Sequence, residues 1–204
     1  PARAGLGARV ARRARSAVYD AHGDEGEDVE GVRPLCIDLY CGLGGWAEGF
    51  LANGYDVIGF DIERRPYPAQ LVLQDVLTLH GSQFRNAAVI VASPPCEEFS
   101  RHKMPWTRAR NPPIPNLDLF KACFRIQEEA GVIPMIVENV ETAQRWMGPA
   151  KAHRGPFYLW GDVPALLPHV TARKKESYWS DKRAERAKIL FALADHIARV
   201  YAVE

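Results

Sequence analysis

No GxxxxGK(S/T) segment, no CxxC pair and no apolar run of membrane-spanning length occurs in this 204-residue chain. The first absence argues against a nucleoside-triphosphate P-loop, whose amides and lysine need that spacing to cradle phosphates. The second removes the common zinc spacings, so no metal is expected. The four cysteines, Cys36, Cys41, Cys96 and Cys123, are too sparse for a disulfide framework. Reduced thiols available for chemistry are therefore expected. The third absence, together with first residues that lack an apolar stretch ahead of a small-residue cleavage site, predicts a soluble cytoplasmic protein with no membrane partner. A dominant charge is lacking too, since 26 Lys and Arg face 25 Asp and Glu for a formal +1. Any attraction to nucleic acid must come from local clusters.

What is present suits one core. A hydrophobic fraction of 47% over this length fills a single domain, expected over residues 33–204. Residues 1–32 contain an Ala/Arg-rich block, PARAGLGARVARRARSAV, and then the acidic stretch DAHGDEGEDVEG. Opposite charge blocks with few large apolar residues read as a solvated, flexible tail. From Pro34 onward short apolar runs alternate with helix-like segments: LCIDLY, GWAEGFLANG, DVIGFD, LVLQD, AVIVAS, LDLFKACFRIQEEAG and PMIVEN. That rhythm predicts an α/β fold with a doubly wound, mostly parallel sheet. Helical spacing of Ile189, Leu190, Leu193, Ile197 and Val200 predicts a closing amphipathic helix over about 182–203.

Three strand ends carry polar chemistry. Gly42, Gly44 and Gly45 stand between the first strand and its helix, where glycine permits a sharp turn and close approach of a ligand to helix amides. Asp61 ends the second strand, the place from which an acid accepts ribose hydroxyls. Ile62 beside it offers an apolar face for an adenine ring, and Asp75 at the third strand's end is placed to accept from an exocyclic amine. The pattern points to a nucleoside cofactor without naming it.

The fourth strand runs into SPPCEEFS, residues 93–100. Two prolines fix two φ angles, so Cys96 stands on a stiff turn at the edge where open α/β sheets bind ligands. Cys36 and Cys123, inside an apolar strand and helix, read instead as buried structural residues. The fifth strand ends in Glu138 and Asn139, and partial burial of Glu138 would let it carry a proton near neutral pH. A nucleophile and a proton donor on neighbouring strand ends make a reaction site. Asn139 reads as a residue that fixes the turn.

DLYCGLGG, SPPCEEFS and ENV, in that order on the first, fourth and fifth strand ends, resemble the motifs of the cytosine-5 DNA methyltransferase family. The resemblance covers roughly residues 34–140 and, more weakly, the last helix. It implies a Rossmann-like methyltransferase fold with S-adenosylmethionine as cofactor. It further implies cofactor contacts by Tyr40, Gly42, Leu43, Gly44, Gly45, Asp61, Ile62, Asp75, Val76 and Pro95. Cys96 would add to C6 of cytosine, activating C5 toward the methyl group, while Glu138 hydrogen-bonds N3. DNA is the implied partner, with the target base flipped from its stack. The segment 100–115, SRHKMPWTRARNPPIP, has the cations and the tryptophan of a loop closing over a nucleic-acid strand, and equally the prolines of a solvated connector.

The pattern also departs from the family. No Gln-x-Arg-x-Arg segment follows Val140, and the interval before the last helix is too short for a separate target-recognition domain. Lys151 and Arg154 are the candidates for the missing supporting arginine. ARKKESYWSDKRAERAK, residues 172–188, could contact a strand instead of a recognition domain, or be a solvated approach to the helix. Two further readings stay open: C5 methylation of RNA or a free cytidine nucleotide, and an inactive nucleic-acid-binding module of the same fold. A protein partner that supplies specificity is a further reading left open.

Overall fold

A computed structural model describes residues 32–100, 114–131, 133–169, 185 and 187–202. The charged tail, residues 101–113 and nearly all of 172–188 lie outside the described residues, and with them the expectations placed on those segments.

The strands are β1 (Leu35–Leu39), β2 (Asp56–Asp61), β3 (Gln70–Leu73), β4 (Val89–Ala92), β5 (Met135–Asn139), β6 (Ala152–Arg154) and β7 (Phe157–Gly161). They form one sheet in the order β3-β2-β1-β4-β5-β7-β6. The first five are parallel, while β7 runs antiparallel to both β5 and β6. This is the doubly wound, mostly parallel, Rossmann-like α/β sheet that the alternating pattern predicts. β1 and β4 are neighbours, and the strand order runs outward from them in opposite directions, so the loops after β1 and β4 meet at the switch point.

The central strands read as continuous apolar runs because both faces are buried. Successive residues point to opposite sides. Ile37, Leu39, Ile90 and Val137 pack under α3 (Asp118–Ala130) through Phe120, Cys123 and Ile126. Cys36, Val57, Val91 and Ile136 pack under α1 (Gly45–Ala52) and α5 (Phe191–Val200). Two short helices, α2 (Glu97–Ser100) and α4 (Gln144–Met147), follow β4 and β5. The burial of Cys36 and Cys123 agrees with their structural reading.

The C-terminal helix is shorter than the periodicity predicts. Leu190 is extended at φ −70, ψ 134, and α5 begins only at Phe191. Glu185 and Ala187 are helical, but the helix is broken at 188–190, so Ile189 and Leu190 pack beside α1 from this break rather than from a helical face. Ile189 lies over the start of α1, where a Cβ on Gly45 would fall 2.5 Å from its nitrogen. One turn further on, a Cβ on Gly49 would meet Ala194 at 2.5 Å, so small residues set the close crossing of α1 and α5. Asn53 then bonds Asp195 across the same crossing at 3.0 Å. No helix among the described residues is long and apolar enough to cross a membrane.

Candidate active site

β1 does not continue through Tyr40, as its apolar pattern suggests; it stops at Leu39. Tyr40 takes φ +57, a conformation that costs a bulky side chain energy and lifts the chain out of the sheet. Its hydroxyl donates to the Leu119 carbonyl of α3 at 2.8 Å, which anchors the turn. The glycines that follow differ in what they do. Gly42 (φ +51) fronts open space, since a Cβ there would meet nothing nearer than the Tyr40 carbonyl at 4.0 Å. Gly44 (φ +72) is pressed against Pro68, 2.4 Å from the place of its missing Cβ, and Gly45 against Ile189. Of the three, Gly42 alone has open space on its Cβ side; at Gly44 and Gly45 that side is filled by protein, which is why a larger residue would not fit there. Leu43, half-buried, lies between Gly42 and Gly44.

Asp61 stands at the end of β2, where the sequence places it. Its Oδ2 accepts from the Gly42 amide at 3.0 Å and its Oδ1 from the Glu63 amide at 2.9 Å. The carboxylate therefore ties the glycine loop to the second strand, and each oxygen keeps a lone pair for a hydroxyl donor. Ile62 is 72% exposed, an apolar face open beside that carboxylate. β3 ends earlier than expected, at Leu73, because Asp75 caps the single 3-10 turn Val76–Thr78 by accepting from the Leu77 amide at 2.9 Å. Asp75 is exposed, whereas the Val76 side chain is turned into the core. A cradle of open glycine, strand-end carboxylate and exposed isoleucine fits the ribose and adenine of a nucleoside cofactor.

The β4 and β5 ends converge. Asn139 is 1% exposed and donates from Nδ2 to the Pro94 carbonyl at 2.9 Å, while its Oδ1 accepts the Val140 amide at 2.9 Å. The Pro94–Cys96 turn is thereby fastened to β5, and the expectation that Asn139 fixes the turn agrees with this. Pro95 is exposed and Cys96 half-buried. The Cys96 carbonyl accepts from the Ser100 amide at 2.9 Å, starting α2. Burial pushes the Cys96 thiol above its ordinary range, and a charged Glu138 nearby pushes it the same way, against a hydrogen bond from Ser100. Burial raises the Glu138 carboxyl to about 8, opposed by a hydrogen bond with Ser93. At neutral pH Glu138 is thus mostly protonated, which removes its repulsion of a Cys96 thiolate. Ser93 also accepts from Trp46 Nε1 of α1 at 3.0 Å, so one hydroxyl links the glycine-loop helix to the glutamate.

No family model and no curated protein matches the sequence. Solved structures of methyltransferases overlay part of it. A Spodoptera frugiperda DNMT2 mutant, 19% identical, aligns over 56% of this chain and 38% of its own at a TM-score of 0.40. The Entamoeba histolytica methyltransferase EhMeth, 15% identical, aligns over 72% and 58% at a TM-score of 0.48. The antibiotic-resistance methyltransferase Kmr, 16% identical, aligns over 92% and 81% at 0.34. The aligned region spans less than two thirds of the DNMT2 and EhMeth structures.

Neither candidate for the supporting arginine is aimed at Cys96. Arg154 donates to the Pro168 carbonyl at 3.1 Å and the Leu167 carbonyl at 3.2 Å, holding the turn after β7. Lys151 reaches toward the Gly161 carbonyl, at the far end of β7 from the site. The Arg154 guanidinium is thus engaged by backbone carbonyls, while Lys151 is exposed. Three residues escaped the sequence reading: Ser93, Asp38 and Tyr67. Asp38 carried a signal, being an acid inside the apolar run LCIDLY; Ser93 and Tyr67 carried none.

Proposed function

We propose that this chain transfers a methyl group from S-adenosylmethionine to C5 of cytosine in DNA. The observation that carries this reading is a thiol and a neutral carboxyl on adjacent strand ends, Cys96 and Glu138, with Asn139 fastening the Pro94 turn of the first to the strand of the second. In this reading Gly42, Asp61 and Ile62 hold the cofactor, which supplies an electrophilic methyl group when bound. Asp61 orients the ribose, and Ile62 shields one face of the adenine from water.

Cytosine C5 is a weak nucleophile. Cys96, once deprotonated, forms a bond from Sγ to C6 and pushes the ring's electron pair toward C5. Glu138 holds its proton at N3, where negative charge builds as the thiolate adds. The stiff Pro94–Pro95 turn keeps Sγ at one height over the ring, so little ordering is left for the moment of reaction. After transfer the C5 proton leaves to water and the electron pair returns to expel Cys96. A base inside a duplex is not reachable in this way, so the target must be flipped or single-stranded.

The test incubates the protein with methyl-labelled S-adenosylmethionine and duplex DNA, RNA or dCMP, followed by identification of the labelled base. Label at cytosine C5 in DNA supports the proposal. Label only in RNA or dCMP transfers the same chemistry to another substrate, and no label on any cytosine overturns the enzyme reading.

A further inference from the structure

Parallel strands are ordinarily joined by a crossover helix of a dozen or more residues. β2 and β3 are parallel, yet residues 62–69 between them contain no helix. The connection instead lays the side chain of Tyr67 against the sheet. Tyr67 passes over Gly59 of β2, where a Cβ would lie 2.5 Å from its ring, and donates to Asp38 Oδ2 in β1 at 3.0 Å. The next residue, Pro68, closes on Gly44, and Tyr67 itself lies 3.1 Å from the same missing Cβ. The Tyr67–Pro68 pair thus touches the glycine loop at Gly44, two residues after the Gly42 amide that bonds Asp61. Asp38 is 1% exposed, and among the described residues its Oδ1 has no hydrogen-bond partner. Among the described residues, Tyr67 is the single hydrogen-bond donor to this carboxyl.

We propose that Tyr67 is a positioning residue for the cofactor, which together with Pro68 holds the 40–45 loop in the shape that receives S-adenosylmethionine. It performs with one phenol the task left by the missing crossover helix. The inference rests on S-adenosylmethionine being the ligand of that loop. The groups facing Asp38 are Asp61 at the end of β2, Cys36 within β1, Cys41 in the loop and the Tyr67 phenol. Burial and Asp61 favour its neutral acid, and the Tyr67 bond opposes them. Loss of the phenol leaves both oxygens unpaired directly below the turn that begins the loop.

The test measures S-adenosylhomocysteine binding by calorimetry for the wild type, Tyr67→Phe, Pro68→Gly and Tyr55→Phe. Tyr55 is the control: its hydroxyl makes a comparable buried bond to the Ala198 carbonyl, away from the loop. Tyr67→Phe is expected to weaken binding about tenfold, the scale of one buried hydrogen bond to an acid. Pro68→Gly, which keeps the phenol but loosens the contact with Gly44, is expected to weaken it as well. Tyr55→Phe is expected to stay within about twofold of the wild type even if its melting temperature falls as far. In steady-state transfer the Tyr67→Phe loss falls on KM for the cofactor and leaves kcat nearly intact. Equal affinities for the wild type, Tyr67→Phe and Pro68→Gly overturn the inference while the cofactor reading stands. A wild type that binds no S-adenosylhomocysteine overturns the cofactor reading and this inference with it.

Discussion

Asn139 donates its side-chain amide to the Pro94 carbonyl at 2.9 Å, joining the end of β5 to the turn that carries Cys96. Pro94 and Pro95 supply no backbone donors to hold their own turn, so this side chain takes the place of a ladder bond. Asn139→Ala strands the buried Pro94 carbonyl and frees the turn. A stability loss of about 1 to 3 kcal/mol is expected from denaturant unfolding. The transfer rate should fall further than that loss accounts for, with S-adenosylhomocysteine affinity unchanged.

Cys96→Ser replaces a thiol by a far less acidic hydroxyl of similar size, which does not supply the anionic nucleophile. Transfer is expected to drop to background while cofactor affinity, measured by calorimetry, stays at the wild-type level. Comparable turnover by the variant would remove the covalent step.

Glu138 should impose a falling limb on the pH profile. Its carboxyl is neutral below about 8 and charged above. A charged Glu138 both loses the proton needed at N3 and pushes the Cys96 thiol up. Initial rates across pH 6 to 10 are therefore expected to decline through the region of about 8. Glu138→Gln should lower the rate by about a hundredfold or more. Its permanently neutral amide should abolish that limb.

Asp38 links pH to folding. Its carboxyl is raised to about 8 in the folded protein, above an unfolded value near 3.9. The folded state therefore holds its proton more tightly than the unfolded chain. Stability from the neutral acid is complete below the unfolded value and is lost as pH rises through about 8, leaving a buried charge. Thermal unfolding followed from pH 4 to 9 should show this decline, and Asp38→Asn should flatten it.

Gly45→Ala tests the closing segment. The added methyl would lie 2.5 Å from the Ile189 nitrogen and 2.7 Å from its carbonyl oxygen, both backbone atoms. The segment must then shift off α1, stretching the Lys188 to Glu48 ion pair. A cost of about 1 to 3 kcal/mol is expected, read as a lower urea midpoint.

Local chemistry alone determined much of this protein. Apolar runs separated by amphipathic stretches specify strands buried on both faces, and glycines, prolines and acids at their ends mark the loops that face a ligand. Strand-end positions of Asp61, Cys96 and Glu138 were legible because a strand's period and its breakers are properties of neighbouring residues. Tertiary structure decided what those positions do. Gly42, Gly44 and Gly45 look alike in the chain, but only the fold shows that Pro68 and Ile189 fill the Cβ side of the last two while that of Gly42 stays open. Arg154 looks like a supporting arginine until the turn at Leu167 and Pro168 takes its guanidinium. Ser93 and Tyr67 have no sequence signal because their roles exist only against Glu138, Trp46 and Asp38, partners brought near by sheet order. Local pattern encodes where a side chain leaves the backbone; burial and hydrogen bonding depend on what the fold places opposite it.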